Sequence, residues 1–166
     1  MMNQEDIELL KKATIDLIEK MGFKGEIKIE KLTDSLIQDE QETNPLPETW
    51  LVNIQTKEDS NILIGRHGSN LDALQHLTRL MARHKIQEPT HFILDVNDYK
   101  KQRIEFLKEL ASRVADQVKR NKRVQSLQPM PAYERRIIHL ELSSKKGIAT
   151  ESLGREPGRK VIVKPC

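Results

Sequence analysis

Residues 61–82 read NILIGRHGSNLDALQHLTRLMA, and the way this stretch breaks and restarts decides the fold of the first half of the chain. The apolar run Ile62, Leu63, Ile64 is cut by Gly65-Arg66-His67-Gly68. An amphipathic helical pattern then starts at once, with Leu71, Leu74, Leu77 and Met81 on one face. Glycine reaches backbone angles closed to other residues, so a Gly-x-x-Gly turn lets a second backbone come close. A helix starting there offers unpaired N–H groups and the positive end of its dipole to an anion. With Arg66 and His67 between the glycines, the turn has the chemistry of a phosphate clamp, although a plain helix–helix turn uses the same two glycines.

Outward from this stretch, simple patterns set the neighbouring elements. Gln4 to Met21 carries apolar residues at helical spacing (Ile7, Leu10, Ala13 or Thr14, Leu17, Ile18, Met21), and Gly22 closes it. Gly25–Leu32 and Trp50–Thr56 alternate apolar with polar residues, as half-buried strands do. Thr33–Glu48 between them is acidic and holds Pro45 and Pro47, which predicts a loop. After Pro89, Thr90–Val96 supplies a third strand. The order α-β-β-α-α-β predicts one sheet with helices on one face.

Tyr99–Lys122 then predicts a long helix, with Ile104, Leu107, Leu110, Ala111, Val114 and Val118 inward. Outward it would carry Lys100, Lys101, Arg103, Lys108, Arg113, Lys119, Arg120 and Lys122. Beyond it come a short strand at Val124–Leu127, a helix at Ala132–Leu142 with Pro131 as its first helical residue, and strands at Ile148–Leu153 and Lys160–Lys164 around the turn Gly154–Gly158. The fold class expected is α+β, in two domains over 1–97 and 98–166.

Charge divides the chain at the same place. Residues 1–97 hold 11 Lys/Arg against 17 Asp/Glu, a balance of −6, whereas residues 98–166 hold 17 against 8, a balance of +9. A basic half on a near-neutral protein fits a polyanion binder. No apolar run approaches the ~20 residues that span a bilayer, and the acidic opening MMNQEDIELL is no presequence. Cys166 is the only cysteine, which excludes an internal disulfide or a cysteine-based zinc site. A cytoplasmic protein without membrane contact is expected.

A second constellation is Glu134-Arg135-Arg136-Ile137-Ile138-His139. Arg135 and His139 are four apart, so on a helix they share a face and can grip one phosphate together. Arg155, Arg159 and Lys160 add cations in the turn that follows. His76, His84 and His91 have no such companion and read as structural. No nucleophile with a base, no paired carboxylates and no metal-ligand set accompany either motif, so neither catalysis, cofactor nor metal is expected.

The first motif resembles the Gly-x-x-Gly loop of KH domains, which clamps about four nucleotides of single strand. With two strands before the loop and one after, the order is similar to the prokaryotic, type II-like KH fold. The resemblance implies a nucleic-acid site at Ile64, Gly65, Arg66, His67, Gly68 and Ser69. His67 departs from the doubly basic loop usual there, and an unperturbed histidine is mostly neutral at pH 7. The second motif, with Leu127-Gln128-Pro129-Met130 before it and TESLGREPGRKVIV after it, resembles the Arg-x-x-x-His domain family, whose members bind single-stranded nucleic acids. That likeness implies Arg135, Arg136, His139, Arg155, Arg159 and Lys160 as contacts.

The two in succession resemble the bacterial Jag family (KhpB or EloR, the SpoIIIJ-associated proteins). This implies single-stranded RNA as ligand, roles in post-transcriptional regulation, cell elongation or envelope control, and a small KH-domain protein as partner. Many members begin with a further small domain that is expected to be lacking here, which loosens the link to those pathways. Single-stranded DNA is the alternative ligand, since neither motif reads a 2′-hydroxyl. A protein-interaction module with incidental nucleic-acid binding is the other alternative.

Overall fold

A computed structural model describes residues 3–32, 49–84, 86 and 91–166, and its architecture is mixed α+β. The chain divides into two units, Met1–Lys100 and Lys101–Cys166. The predicted acidic loop Thr33–Glu48 lies outside the described residues.

In the first unit, Asn3 opens α1 (Gln4–Lys20) through a capping box: its side chain accepts from the Asp6 N–H at 2.8 Å, and the Asp6 carboxylate accepts from the Asn3 N–H at 3.1 Å. Such a cap is worth about 1 kcal/mol. Leu10, Ala13, Thr14 and Ile18 form the buried face, and Gly22, at φ 86°, turns the chain out of the helix. Met21, expected inward, caps the helix end and is exposed.

The strands β1 (Glu26–Lys31), β2 (Trp50–Gln55) and β3 (Phe92–Val96) form one sheet with β2 in the middle, antiparallel to β1 and parallel to β3. Register lines up Ile27 with Ile54 and Ile29 with Val52, then Val52 with Leu94 and Ile54 with Val96. These side chains meet Leu10, Ile18, Leu71 and Leu74 in the core. The helix α2 (Ser60–Ile64), a 3-10 turn (Arg66–Gly68) and α3 (Ser69–Arg83) connect β2 to β3.

The burial of α3 corrects the expected face. Leu71 and Leu74 are inward, but the stripe continues through Thr78 and Ala82, while Leu77 is exposed and Met81 only half-buried. At about 100° per residue, Leu71, Leu74, Thr78 and Ala82 lie on one line, and Leu77 falls to its side. Helical phase outweighs the greater hydrophobicity of leucine.

At the end of β3 the chain turns through Asn97 and Asp98, both with positive φ, a conformation that Asn and Asp tolerate best among residues with a Cβ. The Asn97 amide exchanges hydrogen bonds with the Thr56 backbone (2.7 and 3.1 Å), and Asn53 donates to Asp98 at 2.8 Å. Buried Asp95 accepts from the backbone N–H groups of Val96 and Lys100, holding the first turn of α4 (Tyr99–Asn121). Burial raises the Asp95 carboxyl above the ordinary aspartate range, and these N–H donors oppose the shift. Lys100, expected outward, is half-buried with its ammonium 3.3 Å from Gln75 Oε1, and burial lowers its pKa.

In the second unit the remainder of α4 and α5 (Ala132–Ser143) cover a sheet of order β4-β6-β5, formed by β4 (Gln125–Ser126), β5 (Ile148–Leu153) and β6 (Lys160–Pro165), antiparallel throughout. Leu107, Ala111, Val114, Ala115 and Val118 of α4 pack with Ile138, Leu142, Ile148, Val161 and Val163. Ile104 is half-buried at the margin. Pro131 precedes the helix as its cap rather than starting it, and its carbonyl accepts from the Arg135 N–H at 3.1 Å.

Arg103 is also corrected from an outward cation. Its Nε and Nη2 donate to Glu134 Oε1 and Oε2 at 2.7 and 3.0 Å, and the Glu134 side chain is wholly buried. This two-point pairing ties α4 to α5.

Candidate nucleic-acid interface

The first candidate site is built from backbone. Ile64 is the half-buried last residue of α2, and Gly65 follows at φ 70°, ψ −175°. Asn70 reaches back to donate to the Ile62 carbonyl at 2.7 Å. That places its side chain where a Cβ on residue 65 would stand, only 2.5 Å from Asn70 Cγ. Glycine is therefore required at 65 twice over, by backbone angle and by space.

The turn continues with His67 (φ 53°) and Gly68 (φ 80°), both left-handed. The Gly68 N–H faces the Gly65 carbonyl at 3.4 Å. Among the described residues no side chain caps the start of the 15-residue α3, and its first N–H, that of Ser69, donates to the Arg66 carbonyl within the turn. Arg66 and Ser69 are exposed, His67 is half-buried and Gly68 is buried. The arrangement sets the positive end of the α3 dipole and an exposed guanidinium along one short length of chain, with no side-chain cap among the described residues.

The second candidate site is built from side chains, most of them occupied. Arg135 and His139 share a face of α5, as their spacing requires, but that face looks into the unit. Arg135 is buried (6% exposed), with Nη1 donating to the Met130 carbonyl at 2.7 Å and pairing with Glu156 Oε1 at 2.8 Å. His139 is held at both ring nitrogens, Nδ1 by Thr150 Oγ1 at 2.7 Å and Nε2 by Ser152 Oγ at 2.8 Å. Burial, with the Arg135 charge second, lowers the His139 pKa and favours the neutral ring. Both side chains are thus engaged within the unit, by backbone, carboxylate or hydroxyl partners.

Around them, Arg136 stands about 100° further round the helix and is exposed, as are Arg155 and Arg159 in the turn between β5 and β6. Lys160 is half-buried at the start of β6. The structure therefore gathers Arg135, His139 and the turn that carries Arg155 and Arg159, and sets Arg136 on a different side of α5.

Several residues that shape these sites carry weaker sequence signals. Asn70 sits two residues past the second glycine, where a short polar side chain can reach back to the preceding turn. Thr150 and Ser152 are two apart on a strand, so they point the same way, towards α5. Glu156 is the one acid in a basic turn. Among the described residues no cluster of three or more His, Cys, Asp or Glu could hold a metal ion, and no helix is long and apolar enough to cross a membrane.

Comparison with known proteins bears on both halves. Residues 105–165 match the model of the Arg-x-x-x-His domain family. The chain is similar to the RNA-binding protein KhpB of Clostridium symbiosum, with 43% identity over 113 residues, covering 68% of this chain and 51% of that protein. It is also similar to KhpB of Lactiplantibacillus plantarum (39% over 102 residues, 61% of this chain and 32% of that protein) and of Bacillus subtilis (36% over 110 residues, 65% and 53%). The chain spans about half the length, or less, of these curated relatives. The chain thus carries an Arg-x-x-x-His domain match and is similar over about two thirds of its length to proteins named KhpB.

Proposed function

We propose that this chain is a non-catalytic, cytoplasmic binder of single-stranded RNA, built from a type II-like KH domain over residues 1–97 and an Arg-x-x-x-His domain over residues 98–166. The observation that carries the reading is the Gly65–Gly68 turn, which leads straight into the uncapped N-terminus of α3 with Arg66 exposed beside it. Phosphates sit well at such a terminus. The first unit runs α-β-β-α-α-β around that turn, an order that supports the KH assignment. The RNA-binding relatives support RNA over DNA.

In this reading Ile64, Gly65, Arg66, His67, Gly68 and Ser69 clamp a few nucleotides. Arg136 on α5, with Arg155, Arg159 and Lys160, holds backbone phosphates, and Arg135 and His139 position the turn and strand that carry the last three. Two modest sites on one chain raise each other's effective concentration. Family resemblance adds a small KH-domain protein as partner.

The test is Arg66→Asp with His67→Asp. Binding to a labelled single-stranded RNA is expected to fall at least tenfold, about 1.4 kcal/mol, while the far-ultraviolet circular-dichroism melt stays as in the unmodified chain. An unchanged affinity refutes the clamp, and a lost melt marks the turn as structural.

A further inference from the structure

The chain has six aromatic side chains. Phe23, Trp50, Phe92 and Tyr99 belong to or pack against the core of the first unit. The other two, Phe106 and Tyr133, are in the second unit and are exposed, at 45% and 46%. They are 27 positions apart in sequence, yet both flank the Arg103–Glu134 pair. The Arg103 guanidinium lies over the Phe106 ring, 5.2 Å from its centroid. The same guanidinium pairs with Glu134, and the Tyr133 hydroxyl donates to Glu134 Oε1 at 3.4 Å. One ring on α4 and one on α5 are thus joined through a single ion pair.

We propose that Phe106 and Tyr133 form a stacking platform for unpaired nucleobases. The proposal rests on the reading of this unit as a binder of single-stranded nucleic acid, and it adds where the bases go. Every base has a π-face, so exposed rings take bases with little regard to sequence. Tethering through Arg103 and Glu134 restricts both rings before a ligand arrives, which lowers the ordering cost of binding. The pair also neutralises Glu134, so that its carboxylate does not repel a phosphate. Cations follow on the same helix faces: Arg113 is seven residues after Phe106, and Arg136 three after Tyr133, both exposed. Glu109 shares the α4 face, four residues before Arg113.

The experiment titrates the full chain into a fluorescent oligouridylate and into an abasic oligonucleotide of equal length at fixed salt. It is repeated with Phe106→Ala, Tyr133→Ala and Tyr133→Phe, after thermal melts confirm that each variant folds. Each alanine variant is expected to bind the oligouridylate roughly tenfold more weakly, in line with a base–aromatic stack, and the abasic strand unchanged. Tyr133→Phe, which keeps the ring, retains binding. Binding of the oligouridylate by the unmodified chain with no loss in either alanine variant, or equal losses on both strands, overturns the platform. Failure of the unmodified chain to bind either strand overturns the nucleic-acid reading itself.

Discussion

The two candidate sites use opposite materials. At Gly65–Gly68 the candidate chemistry is main chain: two left-handed residues and a helix terminus with no side-chain cap among the described residues, with Asn70 filling the space a Cβ would need. Around Arg135 and His139 the motif side chains are themselves engaged within the unit, one paired with a carbonyl and a carboxylate, the other with two hydroxyls. On the proposed reading, the motif marks a binding face whose defining residues position the contacts instead of making them. In the first site replacing the named side chains should alter binding more than folding; in the second the reverse is expected.

The largest expected effect tests the second half of that contrast. Glu134→Ala removes the buried carboxylate that pairs with Arg103 between α4 and α5, and losing one member of a buried pair costs about 3 kcal/mol. Chemical denaturation would show it, and replacing both residues with methionine should recover most of the loss. Gly65→Ala comes next, at about 2 kcal/mol for a strained backbone conformation, with the Cβ clash against Asn70 added. Pairing it with Asn70→Ala should relieve the clash and leave the strain, so a partial recovery of melting temperature is expected. Full recovery would mean that the φ of 70° is not restrictive.

Glu156→Gln should be milder. Glu156 is largely exposed, so its pairing with Arg135 is screened and worth less than about 1 kcal/mol, measurable as a small drop in denaturation midpoint. The smallest effect is a pH dependence. The His139 pKa lies below the ordinary 6.5 in the folded state, so the unfolded chain binds the proton more readily. Stability from this residue is fully present above about pH 6.5, falls as pH drops through that value, and levels off below the folded pKa. Melts from about pH 7.5 to 5.5 should diverge between the unmodified chain and His139→Gln, with the unmodified chain losing more.

Much of the fold was legible because its signals are local. Ile27, Val52, Ile54, Leu94 and Val96 alternate as strand residues should, and the elements follow in the order that the patterns predict. The misreadings fall where a local pattern meets a distant partner. Arg103 looks like a solvated helix cation until Glu134, 31 residues on, is brought beside it. Lys100 is drawn to Gln75 in the same way. Leu77 and Thr78 exchange burial because the helix takes its phase from Leu71, Leu74 and Ala82 together. For the sites, the glycine turn was visible in sequence as glycines and cations. The restraint by Asn70 and the engagement of Arg135 and His139 were not, since both depend on which residues the chain folds against each other.

Ions released from a nucleic acid on binding reflect only those protein charges that are free to replace them. For single strands, the logarithm of affinity falls with the logarithm of salt at about 0.7 per phosphate neutralised. The C-terminal 69 residues carry 17 lysines and arginines, yet Arg103, Arg135 and Lys164 already face Glu134, Glu156 and Glu151. Each enters the count only if its carboxylate is first displaced. On the proposed reading these three pairs together make the C-terminal half a weaker polyelectrolyte than its composition suggests, so that a measured salt slope counts fewer phosphates than the sequence has cations.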